Sequence, residues 1–172
     1  DYVSAWSGQN RNHLFIDDLD GDGKLEVASE VNGTWNRITI WDAAGTAIAS
    51  ANFGPGPAAP FKTVRALDLA DLNGDGVKEL VAAVADGLVV ALDAKCQPLW
   101  STRLASPAAT LTALAGGRLL AGCDDGSVVV MDGQGTVQQV GKVDSRPAEA
   151  RLLPNGHVLL ATDKGQVTAL QP

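Results

Sequence analysis

Aromatic side chains make up only 5% of this 172-residue chain, and there is a single Met and a single Tyr. Apolar volume must come mainly from Ala, Val and Leu, which suits short repeated strands joined by tight turns. Basic residues are also short: 13 Lys and Arg stand against 20 Asp and Glu, for a net charge of −7. With no basic run to neutralise phosphates, this balance argues against a nucleic-acid partner. No apolar run reaches the roughly 18 residues that would span a bilayer. The two cysteines, Cys96 and Cys123, are too few and too far apart for a zinc site, and read as small apolar residues. The two histidines, His13 and His157, each open an apolar run and belong to no His/Asp/Ser or His/Cys constellation. No Gly-rich phosphate loop leads into a helix, and no window sustains a helical period.

What is present is an ordinary apolar fraction of 45% and as many as 19 glycines. The length suits one compact domain. The chain starts at Asp1 without an initiator Met or a signal peptide, which points to a processed product or a piece of a longer protein.

Four segments share one grammar: an acidic or Gly turn, an apolar run, a Gly turn, a second apolar run, then often an Asp. They read KLEVASEVNGTWNRITIWDAAG, KELVAAVADGLVVALDAKC, RLLAGCDDGSVVVMDGQG and HVLLATDKGQVTALQP. Gly87, Gly126 and Gly165 are 39 residues apart each time (126−87 and 165−126), and Asp93 and Asp132 share that spacing. Runs of five to seven residues rich in Val, Leu and Ala, separated by Asp-Gly or Lys-Gly pairs, are β-hairpins with Gly supplying positive φ. A period of about 40 residues with four strands is the signature of a propeller blade. The expected architecture is an all-β β-propeller of about four four-stranded blades in a single domain, 1–172. The blades fall near 11–55, 62–105, 108–144, and 147–172 together with 1–10. The fourth blade lacks an outer strand of its own. Tyr2 to Ser7 resembles the outer strand PLWSTRL, with Trp6 matching Trp100, and would cover the bare edge. Two alternatives stay open. These residues close a ring within one chain, or they belong to a larger ring completed by another chain or by missing blades.

The segments HLFIDDLDGDGKLEVASEV and VRALDLADLNGDGVKELVAAV resemble the FG-GAP/VCBS repeat of integrin-type and bacterial extracellular propellers, in which an acidic loop between the first two strands holds Ca²⁺. The segment DGLVVALDAKCQPLW is similar to the repeat of quinoprotein-type propellers, whose Ala-Leu-Asp-Ala…Trp pattern braces neighbouring blades. Cys96 stands where that repeat usually has Gly. The resemblance is specific for fold and poor for activity, because such propellers serve many functions.

The residues of the two acidic loops support a cation reading by themselves. Ca²⁺ takes six to eight oxygens at about 2.3–2.6 Å, and a short loop supplies them from alternate positions. In the first loop Asp18, Asp20 and Asp22 occupy positions 1, 3 and 5, the Lys24 carbonyl position 7, and Glu26 position 9. In the second, Asp71, Asn73, Asp75, the Val77 carbonyl and Glu79 do the same. An EF-hand would place its Glu at position 12 between helices, whereas here a β-run follows at once. Acidic Asp-Gly turns also occur simply as solvated hairpin turns, but two loops agreeing at five positions favour two Ca²⁺ sites. Asn73 has one charge fewer than Asp20, so the second site should be the weaker. The ions would be structural, stabilising a small core, and would suit an extracellular or periplasmic setting with near-millimolar Ca²⁺.

Trp35, Asn36 and Arg37 lie in an inserted loop between the second and third strands and form a candidate ligand-binding group. Trp35 either contacts a sugar or protein or folds back to cover the loop. Asn32-Gly33-Thr34 has the form of a glycosylation sequon, which the Ala- and Gly-rich composition disfavours. Arg65 and Arg151, near the starts of first strands, are candidates to line the central channel. The function expected is a non-catalytic module that binds a protein or carbohydrate, or that self-associates or joins a larger complex. The alternative is a domain or fragment of an extracellular enzyme of the quinoprotein dehydrogenase or polysaccharide lyase type.

Overall fold

The computed structural model describes residues 13–32, 36–53 and 63–172. Tyr2 to Ser7 and Trp35 therefore lie outside the described residues. The described chain is all strand and turn, in four antiparallel sheets that follow one another in sequence order. Blade one contains β1 (Leu14–Asp17), β2 (Glu26–Val31), β3 (Arg37–Trp41) and β4 (Ala47–Asn52). Blade two contains β5 (Val64–Ala70), β6 (Glu79–Val84), β7 (Leu88–Leu92) and β8 (Pro98–Arg103). Blade three contains β9 (Ala108–Leu114), β10 (Arg118–Cys123), β11 (Ser127–Met131) and β12 (Val137–Lys142). Blade four has three described strands, β13 (Pro147–Leu152), β14 (Val158–Thr162) and β15 (Val167–Leu170). The fold is a β-propeller of four such blades, and the strands fall where the turn spacing puts them.

Each blade is a meander because a tight turn joins each pair of neighbouring strands. Between the second and third strands of blades two to four, Gly87, Gly126 and Gly165 have φ of +87°, +82° and +79°, a region that costs a residue with a Cβ. Each of them donates its N–H back across the turn, to the carbonyls of Val84, Cys123 and Thr162. Between the third and fourth strands an Asp organises the turn. Asp42, Asp93 and Asp132 each accept two backbone N–H bonds at 2.8–3.0 Å through Oδ1. The left-handed position of that turn is Gly45 or Gly135 in blades one and three, but Cys96 in blade two, with φ +56°.

The core lies between blades. Along β6, Leu80 and Ala82 face blade one while Val81 and Ala83 face blade three. Every β6 residue is buried, because alternate side chains serve two different interfaces. β10 and β11 repeat the arrangement between blades two and four, with Leu119 and Met131 on one side and Leu120 and Val130 on the other. This explains why the middle strands read as continuous apolar runs rather than alternating ones. Both cysteines are buried free thiols, Cys96 between blades one and two and Cys123 between two and three.

Candidate metal centres

In blades one and two the loop from first to second strand contains the acidic residues. The two loops are built on the same hydrogen bonds. Asp18 Oδ1 accepts the Gly21 N–H at 2.8 Å and Oδ2 the Gly23 N–H at 2.9 Å. Asp71 receives the Gly74 and Gly76 N–H groups in the same way, at 2.7 and 3.1 Å. Position 3 accepts from the N–H of position 5, Asp22 to Asp20 at 3.1 Å and Asp75 to Asn73 at 2.8 Å. Position 5 accepts from position 7, the Lys24 and Val77 N–H groups, at 2.8 Å in both loops. These bonds turn the carboxylates inward, and the oxygens of Asp18, Asp20 and Asp22 lie within 4.8 Å of one another.

Glu26 and Glu79 close the loops from the first residue of β2 and β6. Both are buried, and each uses Oε2 to accept a backbone N–H from position 2, Leu19 at 2.9 Å and Leu72 at 2.8 Å. Leu19 and Leu72 are themselves buried between blades, so they anchor each loop in the core. Sequence reasoning missed this role. The signal was there, since both loops have Leu between their first two ligand positions.

The loops differ at position 3. In loop two the Asn73 Nδ2 donates to Asp75 Oδ2 at 2.9 Å and to Glu79 Oε1 at 3.2 Å. In loop two an amide nitrogen thus stands where loop one has the second carboxylate oxygen of Asp20. Burial, with Asp75 and Asp71 nearby, pushes the Glu79 carboxyl above its ordinary range, while the Lys24 ammonium holds Asp22 low. In loop one the carboxylates of Asp18, Asp20 and Asp22 converge, and a cation would displace the Lys24 ammonium that pairs with Asp22 Oδ2 at 2.6 Å, so the residues fit a hard divalent cation.

The two loops meet. Val77 Cγ2 lies 3.2 Å from where a Cβ on Gly21 would stand, and Lys78 reaches across to pair with Asp17. Neither contact was legible in the sequence, because it depends on how blades stack.

Of the candidate ligand-binding residues between β2 and β3, Asn36 and Arg37 are described. Asn36 is buried at φ +44°, and its carbonyl accepts the Phe53 N–H at 2.9 Å. The Arg37 Nε donates to Asn52 Oδ1 at 2.6 Å within the blade. Asn32, the first residue of the sequon, is buried, with its amide bridging to both backbone groups of Val64 at 2.8 Å. It is a strut between blades one and two and presents no free nitrogen to a glycan.

The first strands of all four blades line a channel of ≈ 660 Å³. Arg65 and Arg151 both line it, as their positions suggested. Its two arginines pair locally: Arg65 grips Asp124 with two bonds of 2.6 Å, and Arg151 pairs with Glu149 at 2.9 Å, while His13 Nδ1 lies 3.0 Å from Glu30 Oε1. Asp68, raised by burial, accepts the N–H groups of Leu69 and, across the blade interface, Ala113.

Residues 18–82, from the first acidic loop through β6, match the FG-GAP-like repeat family. No curated protein matches the chain. Among solved structures the fold is similar to that of BBS1N in complex with ARL6DN (TM-score 0.60, 15% identity, 92% of this chain and 67% of that one). It is also similar to a protein of unknown function from Bacteroides caccae (0.61, 12%, 95% and 61%). A third likeness is to Raptor from Chaetomium thermophilum (0.66, 16%, 94% and 16%). At these identities the likeness is one of fold. The chain spans 61–67% of the length of the first two proteins and a sixth of the third.

Proposed function

We propose that this chain is a calcium-stabilised, non-catalytic propeller module that binds a partner protein. The observation that carries the reading is the shared backbone hydrogen-bond frame of the two acidic loops, which in loop one brings oxygens of Asp18, Asp20 and Asp22 within 4.8 Å of one another. The residues that would hold the ions are Asp18, Asp20, Asp22, the Lys24 carbonyl and Glu26, and Asp71, Asn73, Asp75, the Val77 carbonyl and Glu79. An ion there neutralises carboxylates that otherwise repel one another and ties the loop to Leu19 or Leu72 in the core. The match of residues 18–82 to the FG-GAP-like repeat supports the same reading. The non-catalytic part is supported by the channel, where Arg65 and Arg151 are paired with Asp124 and Glu149. A protein partner is favoured over a carbohydrate because one similar fold was crystallised in complex with a protein, ARL6DN. Calcium sites of a weak class, at about 10⁻⁴–10⁻³ M, would suit an extracellular or periplasmic setting where Ca²⁺ is near millimolar.

Thermal melting in 1 mM CaCl₂ and in EDTA tests the calcium reading. For a Kd of about 10⁻⁴ M each site contributes RT ln(1+[L]/Kd), about 1.4 kcal/mol, so two sites raise Tm by roughly 6–11 °C. Asp22→Ala should remove more of this increment than Asp75→Ala, because Asn73 gives the second loop one charge fewer than Asp20 gives the first. Superimposable melts with and without Ca²⁺ would refute the proposal.

A further inference from the structure

Among the described residues, one carboxylate in the channel has no cation paired with it. The register of the blades shows what surrounds it. The loop between first and second strands closes with the pairs Asp17–Glu26, Ala70–Glu79, Leu114–Arg118 and Leu153–His157. Two residues in from these pairs, Phe15 stands opposite Ala28, Asp68 opposite Val81, Thr112 opposite Leu120 and Arg151 opposite Leu159. All four first-strand residues line the same cavity. One level of the channel therefore carries an aromatic ring, a carboxylate, a hydroxyl and a guanidinium.

The charges at this level leave a negative excess. Arg65 is held by Asp124 and Arg151 by Glu149, so neither guanidinium is left over for an anion. His13 Nδ1 faces the buried Glu30, and Lys78 pairs with Asp17. Asp68 is the group without a counter-charge. Its Oδ1 and Oδ2 accept the Leu69 and Ala113 N–H groups at 2.9 and 2.8 Å. An ionised carboxylate has about four acceptor positions, so roughly two remain after those bonds. Burial raises the Asp68 carboxyl. A desolvated carboxylate is where an opposite charge gains most, because water no longer competes for it. Phe15 adds an aromatic ring at the same level, and ring faces attract ammonium and guanidinium groups. The cavity volume of ≈ 660 Å³ falls within the range of small-ligand sites, about 300–1,000 Å³.

We propose that the channel binds an organic ammonium or guanidinium group, with Asp68 as its counter-ion and Phe15 against its flank. The site uses none of the acidic-loop residues, so it stands whether or not those loops take Ca²⁺. Asp68 also joins blades two and three through Ala113, and the experiment must separate that structural role from binding.

Calorimetric titration of the whole chain, with Ca²⁺ held constant, does so. Cadaverine and agmatine are the cationic probes, and 1-pentanol and glutarate the neutral and anionic controls. Both amines should bind, and neither control should give saturable heat in the millimolar range. Asp68→Asn removes the charge but keeps a side-chain oxygen for the Ala113 N–H, and should weaken both amines at least about tenfold. Phe15→Leu keeps an apolar side chain and should weaken them about 2–5-fold. Should Asp68→Asn fail to fold, Phe15→Leu and the charge series of the probes still decide the matter. Tighter binding of acetyl-Ala-Lys-Ala-amide than of cadaverine would keep the site and assign its cation to a partner's basic side chain. Glutarate binding as tightly as cadaverine, amine affinities that Asp68→Asn leaves unchanged, or no saturable heat with either amine would overturn the proposal. Asp68 would then be a strut between blades alone.

Discussion

Gly87 and Gly126 occupy the same turn in successive blades, and alanine at the two positions should have different costs. Both have positive φ, so either substitution brings a left-handed penalty of about 1–2 kcal/mol, offset by about 0.4–1 kcal/mol from the stiffer unfolded chain. At Gly87 the new Cβ meets the Leu104 carbonyl at 3.2 Å, a contact relieved by a shift of a few tenths of an ångström. The net cost there should be about 1 kcal/mol. At Gly126 the Cβ would stand 2.2 Å from the Val143 carbonyl oxygen, which is backbone and cannot swing aside. Relief requires the end of β12 to move, which threatens the 2.8 Å bond from the Val143 N–H to the Gly126 carbonyl. Overpacking adds about 1–3 kcal/mol and the weakened bond about 1 kcal/mol, so Gly126→Ala should cost about 3–5 kcal/mol. The difference of about 2–4 kcal/mol corresponds to roughly 4–16 °C in Tm for a chain of this size. Urea denaturation followed by circular dichroism, with Ca²⁺ held constant, reads the two costs directly. Equal midpoints for the two variants would show that the outer strands do not close over these turns as described.

Acid should weaken the join between blades two, three and four. The Arg65 guanidinium, assisted by Arg146, holds the Asp124 carboxyl below the usual carboxylate range. Its folded pKa lies below the unfolded one, so the stabilisation is present above about pH 4 and is lost as the pH falls through the folded value. Asp124→Asn should be less stable at pH 7 and lose less on acidification, as urea midpoints at pH 7 and pH 3 would read; an unchanged acid response would contradict the clamp. Both cysteines should resist alkylation at pH 8 in the folded chain and react once it unfolds, because burial pushes the Cys96 thiol up to about 12 and raises Cys123 as well. Mass spectrometry of iodoacetamide-treated protein checks this, and the same spectra should show no Cys96–Cys123 bridge.

The strands and turns were legible because their causes are local. Gly-bearing turns close hairpins from neighbouring residues, and apolar runs of four to seven residues fill the space between turns, so β5 to β15 fall where spacing puts them. The acidic loops were legible for the same reason: alternate carboxylates and two glycines dictate a loop whose hydrogen bonds all close within nine residues. Other features depend on residues far apart in the chain that meet only when blades stack. The amide of Asn32 is consumed by Val64 of the next blade, so a sequon becomes a strut. Asn36 reads as part of a binding loop, yet the structure buries it. Lys78 finds Asp17, and Arg65 finds Asp124, across 61 and 59 residues of sequence. Local turn chemistry thus determined the blade, and the packing of one blade's face on the next decided which polar side chains remain free to bind anything.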